Sequence, residues 1–146
     1  MNSKCLKSLV CLFLVIFSGC SIFSIERKPY TLAADFVMDE GSPVYKICGA
    51  NLFFYNNSEK SVKEMEIVFY LFDSEGEPAS ECPGRVTFVI EKDVGPDEEA
   101  QLCLSLDSFM TLIPKSLLEI DYLYVSKILY ADGSIWQDPF GFTAFM

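Results

Sequence analysis

The chain has 146 residues, of which 51% are hydrophobic and 14% aromatic, and its net charge is −10. A chain of this length usually forms one domain with a self-sufficient core. The negative charge excludes nucleic acid as an expected partner, because phosphates are repelled. The sequence contains no histidine, which removes the commonest general base and the usual zinc ligand. No catalytic residue, cofactor site or metal site is therefore predicted, and an enzyme is disfavoured.

Residues 1–19 have the pattern of a secretory signal. Lys4 and Lys7 precede an unbroken apolar run, Leu9–Phe17. The run is about nine residues long, whereas a membrane-spanning helix needs about 20, so removal of the segment is expected rather than spanning.

The end of this signal contains a small, small, Cys sequence, Ser18-Gly19-Cys20. This order resembles the signals of bacterial lipoproteins, although Phe17 stands where those signals most often have Leu. The resemblance implies that the chain is cut before Cys20 and that the Cys20 thiol carries lipid. The alternative is an ordinary secretory signal that happens to contain a cysteine.

Removal of the signal leaves 9 basic and 21 acidic side chains, a net charge of −12. Residues 20–30 are expected to form a tether, followed by one domain, residues 31–146. An extended tether of this length reaches no more than about 30 Å, so the domain stays near the bilayer. We expect a membrane anchor through Cys20 on the extracytoplasmic side, periplasmic or surface-exposed, and another envelope protein as partner.

The first half of the domain alternates apolar and polar residues with the period of β-strands. Thr31–Val37 is predicted as an edge strand, Val44–Tyr55 as a central strand covered on both faces, and Val62–Asp73 as a half-buried strand. The predicted inward residues are Leu32, Ala34 and Phe36, then Cys48, Ala50, Leu52 and Phe54, then Met65, Ile67, Phe69 and Leu71. Asn56-Asn57-Ser58 is expected to form a hairpin turn.

The second half continues the pattern. Strands are predicted at Arg85–Glu91, at Gln101–Leu106, at Ile120–Tyr130 and, after an Asp132-Gly133 turn, from Ile135 to about Phe145 at an edge. The inward residues of the first two are Val86, Phe88 and Ile90, then Leu102, Leu104 and Leu106. Asp107–Leu112 is predicted as one helical turn capped by Asp107.

Six to eight short strands separated by turn residues predict an antiparallel, immunoglobulin-like β-sandwich of about seven strands, with a small closed barrel as the alternative. Asn56-Asn57-Ser58, the strand ending Phe69-Tyr70-Leu71-Phe72-Asp73 and the following Gly76 resemble the FxLYD type of immunoglobulin-like domain, with Phe72 in place of Tyr. The likeness covers about residues 44 to 106. It implies an extracytoplasmic binding or spacer module without catalysis.

Two functions compete at this point. The first is a membrane-anchored, non-catalytic protein-binding or structural module. The second is a carrier that holds a small or lipidic ligand among aromatic residues, namely Phe53, Phe69, Phe88, Tyr122 and Tyr124. A pocket larger than about 300 Å³ lined by these side chains would favour the carrier.

Three cysteines remain in the domain, Cys48, Cys82 and Cys103. The strand period places Cys48 inward and Cys103 outward, and side chains on opposite faces of a sheet cannot meet. Cys82 lies in a Pro- and Gly-flanked connection that is expected to reach outward. If one disulfide forms, the sequence predicts Cys82 with Cys103 and leaves Cys48 as a buried, inert thiol.

Overall fold

The computed structural model describes residues 28–144, which form two antiparallel sheets. The strands are β1 (Tyr30–Val37), β2 (Gly49–Asn56), β3 (Val62–Phe72), β4 (Val86–Val94), β5 (Glu99–Ser105), β6 (Glu119–Tyr130) and β7 (Ile135–Gln137). Single 3-10 turns occupy Asp107–Phe109 and Phe142–Ala144. The predicted signal, Cys20 and the tether up to residue 27 lie outside the described residues. No helix in the described part is long and apolar enough to cross a membrane.

The strands are divided between a three-stranded sheet, β1-β2-β5, and a four-stranded sheet, β4-β3-β6-β7. Every neighbouring pair is antiparallel. This arrangement confirms the predicted all-β sandwich of about seven strands, and the closed-barrel alternative is wrong because the two sheets are separate. Strands β1 and β7 lie at edges, as predicted.

The core lies between the sheets. It is built from the alternating residues that the sequence pattern predicted to face inward. The largest buried contributions come from β2 and β3, where Leu52, Phe54, Met65, Ile67 and Phe69 are all fully enclosed. Each strand turns every second side chain to the same face, so these residues meet across the two sheets. The inward faces predicted for β2 and β3 are therefore confirmed.

The second strand begins at Gly49, later than predicted. The reason is that the N–H groups of Lys46, Ile47 and Cys48 donate to the Asp107 carboxylate, at 2.7, 2.9 and 3.2 Å, rather than to a neighbouring strand. These bonds lower the pKa of Asp107, and the bond from the Lys46 N–H has the largest effect. Asp107 was predicted to cap its own helical turn; instead it holds the β1–β2 connection against the end of β5.

The predicted hairpin at Asn56-Asn57-Ser58 is also wrong, because β2 and β3 belong to different sheets. Asn56 is fully buried at this crossing. Its Nδ2 donates to the carbonyl oxygens of Lys60, Val94 and Gly95 at 2.8 to 3.1 Å, and its Oδ1 accepts from the Ser58 N–H at 3.0 Å. The side chain thus supplies the bonds that a hairpin ladder would have made.

The last strand ends at Gln137 rather than near residue 145. Pro139 cannot donate a ladder hydrogen bond, and the segment after it is held instead by the buried Asp138. The Asp138 carboxylate accepts from the Phe142 and Thr143 N–H groups at 3.0 and 2.8 Å and from the Thr143 hydroxyl at 2.7 Å. Burial alone would raise the pKa of Asp138, but these bonds lower it. The chain therefore folds back across the outer face of the four-stranded sheet.

Tyr30 joins the two sheets. Its hydroxyl oxygen accepts from the Val125 N–H at 2.9 Å, in the interior of the sandwich. A register shift in β6 leaves Ser126 without a partner residue on β3. The ring of Tyr30 stacks on Phe54 with centroids 6.2 Å apart, and Trp136 meets it edge-on at 5.6 Å. Burial raises the pKa of Tyr30 to about 12.

We expect Tyr30→Phe to lower the free energy of unfolding by about 1 to 3 kcal/mol, because the buried Val125 N–H loses its acceptor. Urea melts of the domain measure the loss. Tyr55→Phe is the matched control: its hydroxyl bonds to Asp97 at the surface, at 3.4 Å, so its removal should cost clearly less. Equal losses for the two variants would contradict the assignment of Tyr30 as the bond between the sheets.

Candidate functional site

An aromatic trough lies on the outer face of the four-stranded sheet, near the end where β3 stops and β6 starts. Its volume is about 470 Å³. It is lined by Tyr70, Phe72, Arg85, Tyr122, Tyr124, Pro139 and Phe140. Four segments supply these side chains, namely the end of β3, the residue before β4, the start of β6 and the segment after β7.

The floor of the trough depends on a bulge in β6. Val68 pairs with Tyr124 and Tyr70 pairs with Asp121, so β6 has one residue more than β3 between these pairs. Tyr122 adopts a φ of 50° there, in the left-handed region. That conformation costs a residue other than glycine about 1–2 kcal/mol. Bulky residues with such strained backbone conformations cluster at functional sites, so the position of Tyr122 indicates a candidate site.

The bulge places the ring of Tyr122 next to two aromatic side chains. Its centroid lies 6.1 Å from that of Tyr70, at an interplanar angle of 83°, and 5.8 Å from that of Phe72, at 45°. Edge-to-face pairs of this kind are attractive because the positive edge of one ring meets the negative face of the other. Tyr122 is nevertheless 51% exposed, so about half of its surface contacts solvent.

The opposite wall is formed by the segment that Asp138 holds. The Tyr124 hydroxyl donates to the Pro139 carbonyl at 3.2 Å. Gly141 lies so close to the Tyr124 ring that a Cβ there would come within 2.8 Å of it, and its φ is 69°. Phe140 projects from this wall and is 72% exposed. Val68, on the same outer face and paired with Tyr124, is buried.

The chain segments that carry the trough rings of β3 and β6 are acidic. The residues next to these aromatic side chains, 70–77 and 119–124, include five carboxylates and no basic residue: Asp73, Glu75, Glu77, Glu119 and Asp121. Arg85 lies at the trough itself, and its guanidinium is 3.9 Å from a Glu66 carboxylate oxygen. Across β3 and β6, Asp121 pairs with Tyr70 and Glu119 with Phe72, so two of these carboxylates lie beside the aromatic faces. In residues 28–144 no three His, Cys, Asp or Glu side chains are grouped as metal ligands.

The aromatic residues predicted to hold a ligand do not form one pocket. The structure brings Tyr122 and Tyr124 together in the trough. Phe69 and Phe88 instead stack on each other on the core side, with centroids 6.3 Å apart, and Phe53 is 38% exposed on the outer face of the other sheet. The predicted set is therefore wrong as a pocket, and so is the expectation that β2 is covered on both faces.

Sequence reasoning missed the remaining trough residues. The alternation along β3 already placed Tyr70 on the outer face, and Phe72 follows it at the same period. Two aromatic residues at the end of a face that begins with Glu64 and Glu66 could have been interpreted as a surface patch. Nothing in the sequence indicated that Phe140 would fold back beside them.

The three thiols of the domain are free. Cys48 lies in the core and Cys103 on the outer face of β5, where the strand alternation places them. The premise for pairing Cys82 with Cys103 is wrong, because Cys82 does not reach outward: it is 4% exposed and packs in the core. Burial raises the pKa of Cys82 and raises that of Cys48 to about 11.

Comparison with known proteins adds little to this description. No protein-family model matches the chain, and no curated protein matches it. An X-ray structure of a Northeast Structural Genomics Consortium target is similar over 73% of this chain and 76% of that one, at 9% identity and a TM-score of 0.37. A likeness at this level carries no argument about function.

We expect Tyr122→Gly to be more stable than Tyr122→Ala by about 1 kcal/mol, because only glycine adopts the left-handed backbone without cost. Both variants lose the ring, so their difference isolates the backbone. The same pair at Val89, an exposed residue in regular β4, should show the reverse order. Urea melts decide, and an alanine variant that is the more stable at residue 122 would show that the bulge is not left-handed.

We expect a maleimide to label Cys103 in the folded domain at pH 7.5, and to label Cys48 and Cys82 only after denaturation. The thiolate is the reactive form, and burial disfavours it at both core positions. Mass spectrometry of the labelled peptides provides the measurement. Rapid labelling of Cys82 in the native protein would contradict its place in the core.

Proposed function

We propose that the mature chain is a lipid-anchored protein of the bacterial envelope that binds another envelope protein without catalysis, with the aromatic trough as its contact surface. The observation that carries this proposal is the open group of rings around Tyr122. Soluble domains rarely expose a contiguous apolar patch without a function, and aromatic residues are enriched where proteins meet. The left-handed backbone at Tyr122 supports the proposal further, because the fold loses stability in order to hold this ring outward.

The openness of the trough favours a protein partner over a carried small molecule. Carrier sites bury about 70–90% of the ligand surface. Here Tyr122 and Phe140, on the two walls, are 51% and 72% exposed. The volume of about 470 Å³ does exceed the roughly 300 Å³ of small-molecule sites, so a carrier of a small or lipidic ligand is the second candidate.

The position of the trough also suits a protein held by an N-terminal anchor. The described chain starts at the end of the sandwich with the short connections, where the Asn57 N–H donates to the Pro29 carbonyl at 2.9 Å. The trough lies toward the other end, where Phe72 pairs with Glu119. A tether attached to Cys20 would therefore leave the trough directed away from the bilayer and accessible to a partner.

The lipid anchor is tested by Cys20→Ala. We expect this change to abolish incorporation of a fatty-acid probe during growth, because the thiol is the acyl acceptor in the lipoprotein hypothesis. Cys103→Ala is the matched control and should label normally. Persistent labelling of the Cys20→Ala protein would place the lipid elsewhere and remove the anchor from the proposal.

The contact surface is tested by a photo-crosslinking amino acid at residue 122 in native membranes, with the same group at exposed residue 53 as control. We expect a polypeptide adduct at 122 that is absent at 53. Mass spectrometry of the adduct separates the candidates, since a small-molecule or lipid adduct would favour the carrier. No specific adduct at 122 would reject the trough as the functional surface.

A further inference from the structure

We infer that the partner presents a basic segment to the trough, with a lysine or arginine side chain lying on the ring of Tyr122. This inference rests on the proposed function and specifies the partner of the same surface. It is drawn from the two kinds of group that the site brings together, the aromatic faces and the carboxylates beside them.

The ring geometry suits a cation. Tyr70 and Tyr122 are nearly perpendicular, so their planes form a corner, and the Phe72 centroid lies 5.8 Å from that of Tyr122. The face of an aromatic ring is negative and attracts an ammonium or guanidinium group within about 6 Å of the centroid. The domain makes such contacts with its own lysines, since Lys28 Nζ lies 4.5 Å from the Tyr30 centroid.

The negative charge beside the rings also favours a cationic partner. Asp121 pairs with Tyr70 and Glu119 pairs with Phe72, so these two carboxylates lie beside the rings, and Asp73, Glu75 and Glu77 follow Phe72 in the chain. The Arg85 guanidinium faces Glu66, which offsets its charge. An acidic or phosphorylated segment would be repelled by the carboxylates beside the rings, as would an anionic lipid surface. A basic segment would gain attraction to these carboxylates and contact with the rings at once.

The probe is a fluorescein-labelled peptide of ten residues that alternates arginine and serine, added to the full-length lipidated protein in neutral phosphatidylcholine nanodiscs. The control peptide has citrulline for every arginine, which keeps the shape and removes the charge. We expect the arginine peptide to bind about tenfold more tightly, from two or three ion pairs at an exposed surface. Raising the salt to about 0.5 M should remove most of this difference.

Two pairs of variants locate the binding. Tyr122→Gly removes the ring without straining the backbone and should weaken binding of the arginine peptide about two- to fivefold, whereas Phe53→Ala should not change it. Asp121→Asn, beside the trough, should weaken binding by a similar factor. Asp93→Asn is the charge control, because Asp93 lies exposed near the far end of β4 and should have no effect.

Equal binding of the two peptides would overturn the inference, and so would an Asp93→Asn effect as large as that of Asp121→Asn, since simple net charge would then account for the affinity. Neither result touches the proposed function, which depends on the crosslink at residue 122. A polypeptide adduct there without preference for the arginine peptide would mean a protein partner that is not basic. Absence of the adduct would reject the contact surface itself.

Discussion

The hydrogen bond from the Val125 N–H to the Tyr30 hydroxyl is the interaction on which the arrangement of the two sheets depends. A backbone donor in the interior of a sandwich is costly without an acceptor, and the register shift beside Ser126 creates such a donor. Tyr30 reaches it from the other sheet, while its ring packs between Phe54 and Trp136. Two of the four edge strands, β1 and β7, are thereby fixed to the centre of the fold.

Strand β6 contains two irregularities with different consequences. The shift beside Ser126 turns a backbone group inward and serves the packing of the sheets. The bulge at Tyr122 turns a ring outward and holds it in a conformation that stability alone would not favour. Proteins commonly give up stability where a surface has to be kept ready for a partner. The same strand thus secures the core on one side and supports the trough on the other.

Three buried or half-buried polar side chains hold the connections in place of regular ladders: Asn56, Asp107 and Asp138. Each bonds to backbone groups of a segment that would otherwise have unpaired donors or acceptors. Asp138 matters most for the site, because it fixes the segment that carries Phe140. A wall held in this way would be ordered before the proposed partner binds, which would lower the entropy cost of binding.

The sequence by itself determined the strands, their inward faces, the edge positions of β1 and β7 and the sandwich class, because the period of two is a local property that each strand carries alone. It also predicted a signal and an acyl acceptor in residues 1–20, which precede the described fold. Only the tertiary structure decided which segments meet. Asp107 bonds to backbone donors about 60 residues earlier, Asn56 lies at a crossing between sheets, and Cys82 packs inward. The trough brings together rings from three segments around Tyr122, whose backbone is left-handed. No single stretch of the sequence predicts either that backbone conformation or the contact between those segments.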